Sequence, residues 1–196
     1  MIRRLRRDYI CRYGAPVLRA ADDAIFGLRY FARCMSCDFC EDACCAHGVD
    51  VDEPTVLRIL ARADALERAT GAPRDAWFEP GFASDAEHPG GRYTRTRVRD
   101  GRCVFRARGA RGCVLHAHAL ASGVDYHELK PMVSALFPLT FDDGLLHASS
   151  EAEDGTLRCG GDGPTLYRGA RDELAHYFGD ALVRELDALE RVSGTC

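Results

Sequence analysis

The chain has no hydrophobic run long enough to cross a membrane. Among its 196 residues, the longest stretches without Asp, Glu, Lys or Arg are residues 112–124 and 131–141. Both are about a dozen residues long or shorter, whereas a transmembrane helix needs about 20. The arginines at positions 3, 4, 6 and 7 are followed by further charged residues and not by the apolar core of a secretory signal. We therefore expect a cytoplasmic protein with no membrane partner.

The common catalytic and nucleotide-binding motifs are also missing. The sequence contains no Walker loop, no GxGxxG or HExxH motif, and no Ser/His/Asp order typical of a hydrolase. No catalytic residue is therefore assigned, and the sequence alone leaves open whether the protein is an enzyme.

Lysine is nearly absent, because Lys130 is the one lysine among 26 basic residues. Arginines concentrate in residues 92–111, where Arg95, Arg97 and Arg99 alternate along a predicted strand and would suit a phosphate backbone. Because the net charge is −4 and the isoelectric point is about 6.0, a solvated strand face is the preferred interpretation. Nucleic acid is not expected as a partner, whereas a protein partner is compatible with this surface.

Length and composition favour one packed domain over residues 1–196. A chain of this length lies within the range of a single domain, and 46% of its residues are hydrophobic, which suffices for a core. Strand-like and helical segments are mixed along the sequence. The predicted fold class is therefore α+β, with helices packed around short antiparallel hairpins and a cysteine-rich metal-binding loop.

Cap residues and periodicity place the predicted elements. Asp52, Glu53 and Pro54 begin a helix that Gly71 ends. Further helices are predicted at residues 16–31, from Cys113 to about residue 121, and within residues 164–192, in two pieces divided at Gly179. Two Asp-Gly pairs predict hairpin turns: Asp100-Gly101 between strands 93–98 and 103–105, and Asp143-Gly144 between strands 136–141 and 145–148.

Cysteine, in contrast, is abundant in this sequence. The chain has ten cysteines, and five of them lie between Cys34 and Cys45. A disulfide framework is typical of small secreted domains, and this chain is too long to need one. In a reducing compartment, clustered thiols usually bind metal or carry out redox chemistry.

The spacing of the first four clustered cysteines points to a particular kind of centre. Cys34, Cys37, Cys40 and Cys44 form a C-x2-C-x2-C-x3-C run, which is the spacing of bacterial two-cluster ferredoxins. Cysteines two residues apart also begin tetrahedral zinc sites. The spacing therefore favours an iron–sulfur cluster over Zn²⁺ and leaves both open.

A longer ordered pattern extends from this run to the middle of the chain. It comprises Cys37, Cys40 and Cys44-Cys45, then Cys103-Val104-Phe105, then Gly112-Cys113-Val114-Leu115-His116, then Lys130-Pro131 and Phe137-Pro138. Over residues 34–140 this pattern resembles the YkgJ-like CxxCxxCC family of zinc- or iron-chelating domains. The resemblance implies metal chelation and no particular reaction. The sequence departs from the family pattern in having three residues between Cys40 and Cys44, and Ser134 where the family has a cysteine.

The predicted ligands come from metal loops 34–45 and 103–113 and from a Gly-flanked cysteine near the C-terminus. They are Cys34, Cys37, Cys40, Cys44, Cys45, Cys103, Cys113 and Cys159. His116, one helical turn after Cys113, is a further possible donor, and Cys34, Cys159 or His116 would substitute for the thiol missing at Ser134. The remaining cysteines, at positions 11 and 196, are not expected to bind metal.

These residues predict a protein that holds one or two thiolate-bound metal centres with a structural or redox role. Two other functions stay open. One is a metal-dependent redox enzyme with an open coordination position, which distinguishes catalytic from structural sites. The other is a zinc module that binds nucleic acid or a protein partner through the Arg-rich hairpin.

Overall fold

The structure, a computed structural model, describes residues 1–32 and 37–193. The predicted ligand Cys34 and the bystander Cys196 lie outside these residues. The chain divides into two compact units. The first unit consists of Met1–Ala32 and Leu136–Cys196, and the second unit is Arg33–Ala135.

Strands and helices alternate along the described residues, which confirms the predicted α+β class. The strands are β1 (Ile2–Ile10), β2 (Val17–Asp22), β3 (Arg29–Tyr30), β4 (Asp50–Asp52), β5 (Ala83–Ser84), β6 (Arg92–Arg95), β7 (Val98–Arg99), β8 (Arg102–Cys103), β9 (Leu139–Asp142), β10 (Leu145–Ala148) and β11 (Gly160–Thr165). The α-helices are α1 (Glu53–Leu60), α2 (Ala63–Thr70), α3 (Val114–Ala121), α4 (Met132–Leu136), α5 (Ser150–Glu153), α6 (Leu166–Gly169), α7 (Arg171–Phe178) and α8 (Asp180–Ser193). Across residues 1–32 and 37–193, no helix is both long enough and apolar enough to cross a membrane.

The first unit is built on a four-stranded sheet. Its strand order is β1-β2-β10-β9, in which β10 runs parallel to β2 and the other neighbours are antiparallel. The β9–β10 hairpin turns at Asp143-Gly144, both with positive φ, as this two-residue turn requires. The second predicted hairpin is therefore confirmed, although residue 136 belongs to α4 and not to its first strand.

The helix predicted over residues 16–31 is wrong. These residues form β2, one turn of 3-10 helix at Asp23–Phe26, and β3. Leu18 and Ala21 are buried at a spacing that fits a helix, but β1 pairs with this segment along its length and makes it a strand. The register of β1 shifts between Arg4 and Tyr9, and two of its nine residues, Leu5 and Tyr9, are buried. This irregularity hides β1 from a reading of periodicity.

The C-terminal helices of the first unit are held by a polar group at Asp187 on α8. Its carboxylate accepts hydrogen bonds from the Tyr167 hydroxyl at 2.7 Å and from Arg171 Nη2 at 3.0 Å. These bonds, chiefly that from Arg171, hold the pKa of Asp187 below its ordinary value of 3.8. Gly179 divides α7 from α8 at φ +83°, and so the predicted helical break is confirmed.

We expect Asp187→Asn to lower the free energy of unfolding by about 1–3 kcal/mol near neutral pH, since hydrogen bonds to a charged group are lost. Because the folded state has the lower pKa, this contribution is complete above about pH 4 and is lost as the pH falls through that pKa. Urea unfolding followed by circular dichroism should show the variant and the wild type converging in acid. A difference that stays constant down to low pH would contradict this assignment.

The second unit has an apolar core of its own. Helix α1 begins as predicted, with Asp52 Oδ1 accepting the Thr55 N–H at 2.9 Å, and the helical segment ends at Gly71 in the left-handed region. A break at residues 61–62 divides the predicted single helix into α1 and α2. Their buried faces pack on a cluster that includes Trp77 and Phe105, whose ring centroids lie 5.4 Å apart.

The described strands of the second unit are short and form two small sheets. Strand β6 pairs with β4 and β5, and the β7–β8 hairpin turns at Asp100-Gly101, where both residues have positive φ. This confirms the predicted hairpin. The predicted strand 93–98 is divided into β6 and β7, because the N–H groups of Thr96 and Arg97 donate to the carbonyls of Val49 and Trp77. The Arg97 carbonyl still accepts the Val104 N–H across the β7–β8 hairpin.

Candidate metal centre

The segment of residues 37–45, here called the cysteine loop, carries four of the predicted ligands. Cys37 and Cys40 are buried. Cys44 and Cys45 lie on one turn of 3-10 helix, Ala43–Ala46, with Cys44 exposed and Cys45 half-buried. Burial raises the pKa of the Cys37 thiol, and hydrogen bonding to the Cys40 thiol raises it further. The fold therefore places the sulfurs of Cys37 and Cys40 side by side.

Cys103 and Cys113 form a second pair at the other end of the second unit's sequence. Cys103 ends β8, and its sulfur hydrogen-bonds Thr96 Oγ1 at 3.4 Å. Cys113 is the N-cap residue of α3, which confirms the predicted helix start. Burial raises the pKa of the Cys113 thiol and the nearby Cys103 raises it further, against the opposing effects of the His116 N–H and the charge of Lys130.

A short loop, residues 106–112, lies between Cys103 and Cys113 and connects this pair to the cysteine loop. It is closed at its base by the bond from the Ala107 N–H to the Gly112 carbonyl at 2.9 Å, and a β-bridge pairs Arg106 with Cys113. We call it the arginine loop. Two of its three arginines, Arg106 and Arg111, extend to the cysteine loop, where both form ion pairs with Asp42 at 3.2 and 3.3 Å. The cysteines that lie far apart in sequence are thereby held in one structural unit.

Among the residues that the structure describes, six predicted ligands lie in the second unit: Cys37, Cys40, Cys44, Cys45, Cys103 and Cys113. Strand β8 packs against the 3-10 helix of the cysteine loop, which brings Cys103 toward Cys44 and Cys45. Among the described residues, no three cysteine sulfurs lie within 4.8 Å of one another. The described sulfurs are therefore not gathered around one point, and binding one metal ion through three of them requires some of these residues to move.

The other proposed donors, Cys159 and His116, lie in different units. Cys159 belongs to the first unit, where its carbonyl accepts the Phe31 N–H at 2.7 Å just before β11. The His116 ring stacks on Tyr126, with centroids 4.3 Å apart and planes at 9°, in the same unit as Cys113. Ser134 is half-buried on α4.

Two arginines of the predicted strand face are paired with acids of their own unit. Arg95 contacts Asp50 at 2.7 Å, and Arg97 contacts Glu79 at 3.7 Å. Ion pairing of this kind leaves these guanidinium groups less available for phosphate than the sequence pattern suggests.

Sequence reasoning missed the residues that connect the two cysteine-bearing loops. Asp42 stands between two predicted ligands, and Arg106 and Arg111 lie in a stretch that reads as a polar surface loop. No periodicity or motif distinguishes them. The one available signal is the position of each within a few residues of a cysteine.

Comparison with known proteins adds no family to this description. No family model matches the sequence, and no solved structure matches the fold. The resemblance to the CxxCxxCC pattern stays a prediction.

Proposed function

We propose that the second unit binds metal through cysteine thiolates and that its role is structural or redox. The ligand pool comprises Cys37, Cys40, Cys44, Cys45, Cys103 and Cys113, with Cys34 as a further donor. The supporting observation is the placement of two buried or half-buried cysteine pairs in one unit, connected through the ion pairs of Asp42.

The donor set fits either metal that the spacing allows. Sulfur ligands without carboxylates select zinc or an iron–sulfur cluster over magnesium or calcium. When bound, an iron–sulfur cluster would supply one-electron transfer, and zinc would close the unit structurally. The sequence spacing favours the iron–sulfur cluster. A cytoplasmic location, which keeps such thiols reduced, stays part of the proposal.

Metal analysis of the full-length chain, purified without oxygen, tests this function. We expect at least one equivalent of iron or zinc per chain. Iron with acid-labile sulfide and a visible band that dithionite bleaches would identify a cluster, and a colourless protein that releases zinc to a chelator would identify zinc. Protein that contains neither metal and takes up neither in anaerobic reconstitution would overturn the proposal.

A further inference from the structure

We propose that Asp42 is a positioning residue of the metal centre. Its buried carboxylate fastens the cysteine loop to the arginine loop and directs the Arg111 guanidinium at the Cys40 sulfur. This inference rests on the proposed metal binding. It also assigns the chemical class of the bound group, which is an anionic metal–thiolate centre.

The hydrogen-bond and ion-pair partners of the Asp42 carboxylate all lie in the arginine loop. The residue is 3% exposed, and its carboxylate has three donors. Oδ2 accepts from Arg106 Nε at 3.2 Å, while Oδ1 contacts Arg111 Nη2 at 3.3 Å and accepts the Gly112 N–H at 3.2 Å. Every one of these donors lies in the arginine loop, between Cys103 and Cys113. The single side chain of Asp42 therefore connects the two cysteine-bearing segments of the second unit.

The backbone of the cysteine loop adopts a costly conformation at this point. Glu41 and Asp42 have φ of +53° and +55°, in the left-handed region that costs a non-glycine residue about 1–2 kcal/mol. Conformations of this kind persist where surrounding contacts hold them. The three bonds to the Asp42 carboxylate help to hold the loop between Cys40 and Cys44, together with Arg106 Nη2, which donates to the Glu41 carbonyl at 3.4 Å.

The charges in this cluster do not balance among themselves. Two guanidinium groups, those of Arg106 and Arg111, share one carboxylate, which leaves one positive charge uncompensated within the trio. Arg111 Nη2 donates to Cys40 Sγ at 3.1 Å, and the buried Arg111 Nε has no acceptor among the described residues. A divalent metal with two thiolates is neutral, whereas three or four thiolates, or a thiolate-bound iron–sulfur cluster, give a negative centre. The Arg111 guanidinium beside Cys40 fits the negative kind.

Three variants of the full-length chain test the role of Asp42. Asp42→Asn removes the charge that holds both arginines, and Arg111→Gln removes the donor to Cys40 while leaving Arg106 paired. Asp38→Asn is the matched control, because Asp38 is an exposed aspartate of the same cysteine loop and its replacement makes the same change in charge. Two quantities are measured: the rate at which as-purified metal passes to excess chelator, and the thiolate-to-metal charge-transfer absorption of protein loaded with Co²⁺.

We expect Asp42→Asn and Arg111→Gln each to release metal about tenfold faster than the wild type, as loss of a partner of a metal ligand commonly weakens metal binding by about 10–100-fold. The cobalt charge-transfer band should weaken or shift in both variants and stay unchanged in Asp38→Asn. A double variant that combines Asp42→Asn with Arg111→Gln should release metal at the same rate as Asp42→Asn alone, because the two residues act through one contact. If Asp42→Asn does not fold, Arg111→Gln alone tests the proposal. The Arg111 side chain is partly exposed, so its replacement removes its contacts without opening a buried cavity.

Wild-type release rates and an unchanged cobalt spectrum in both Asp42→Asn and Arg111→Gln would overturn the role of Asp42 while leaving the proposed metal binding intact. A wild-type chain that binds neither its own metal nor Co²⁺ would overturn the proposed function itself. The two failures are distinguished because the second is visible without any variant.

Discussion

Cys40→Ala is expected to remove bound metal from the full-length chain, whereas Cys11→Ala is expected to leave the metal content unchanged. Cys40 lies between Cys37 and Asp42 and receives the hydrogen bond of Arg111, so its loss takes away a ligand and leaves that guanidinium without its sulfur partner. Cys11 is as deeply buried but belongs to the first unit. The two substitutions therefore match in burial and in the atoms removed, and they differ in proximity to the proposed centre.

The measurement is the metal content per chain after anaerobic purification, together with circular dichroism to confirm folding. We expect the metal content of Cys40→Ala to fall by a full equivalent. Equal loss in both variants would mean that the first unit also contributes a ligand. Full metal content in Cys40→Ala would show that Cys40 is not a ligand and that its contact with Cys37 does not serve metal binding.

Phe105→Ala is expected to lower the free energy of unfolding of the second unit by about 3–5 kcal/mol, the usual cost of truncating a buried phenylalanine to alanine. Phe105 is 1% exposed and lies against Trp77 and Phe78. Its carbonyl accepts the Val114 N–H at 2.8 Å, next to Cys113, so the cavity would open directly beneath the second cysteine pair. We expect the variant also to hold its metal less tightly.

Phe39→Ala is the matched control for this truncation. Phe39 is 51% exposed on the cysteine loop, and removal of its ring should change stability by less than about 1 kcal/mol. Fluorescence of Trp77, the one tryptophan of the chain, reports unfolding of the second unit in urea. A smaller loss for Phe105→Ala than for Phe39→Ala would show that the core does not extend under the cysteines.

Local chemistry was sufficient to predict several elements of this fold. The Asp-Gly pairs at 100–101 and 143–144 form turns with positive φ, which few other residue pairs adopt at low cost. The Asp52 cap and Gly71 bound the first long helical segment for equally local reasons. The clustering of cysteines is likewise visible in the sequence, and it directs attention to the second unit.

Pairing between distant segments was decided by the tertiary structure. Residues 17–22 have the spacing of a helix face and become a strand because β1 on one side and β10 on the other complete their backbone hydrogen bonds. A single sequence window contains neither partner. Backbone groups that must be satisfied on burial favour the sheet over the local helical tendency.

The sequence by itself determined the turns, the helix caps and the identity of the candidate ligands, because each depends on the conformational or chemical properties of a few adjacent residues. Only the tertiary structure decided which of those ligands share a unit and what connects them. Asp42 meets Arg106 and Arg111 across more than sixty residues of chain, at 3.2 and 3.3 Å, and no local pattern records that contact. A buried carboxylate is retained when its charge is paired, and the pairing exists only once both loops have folded against each other.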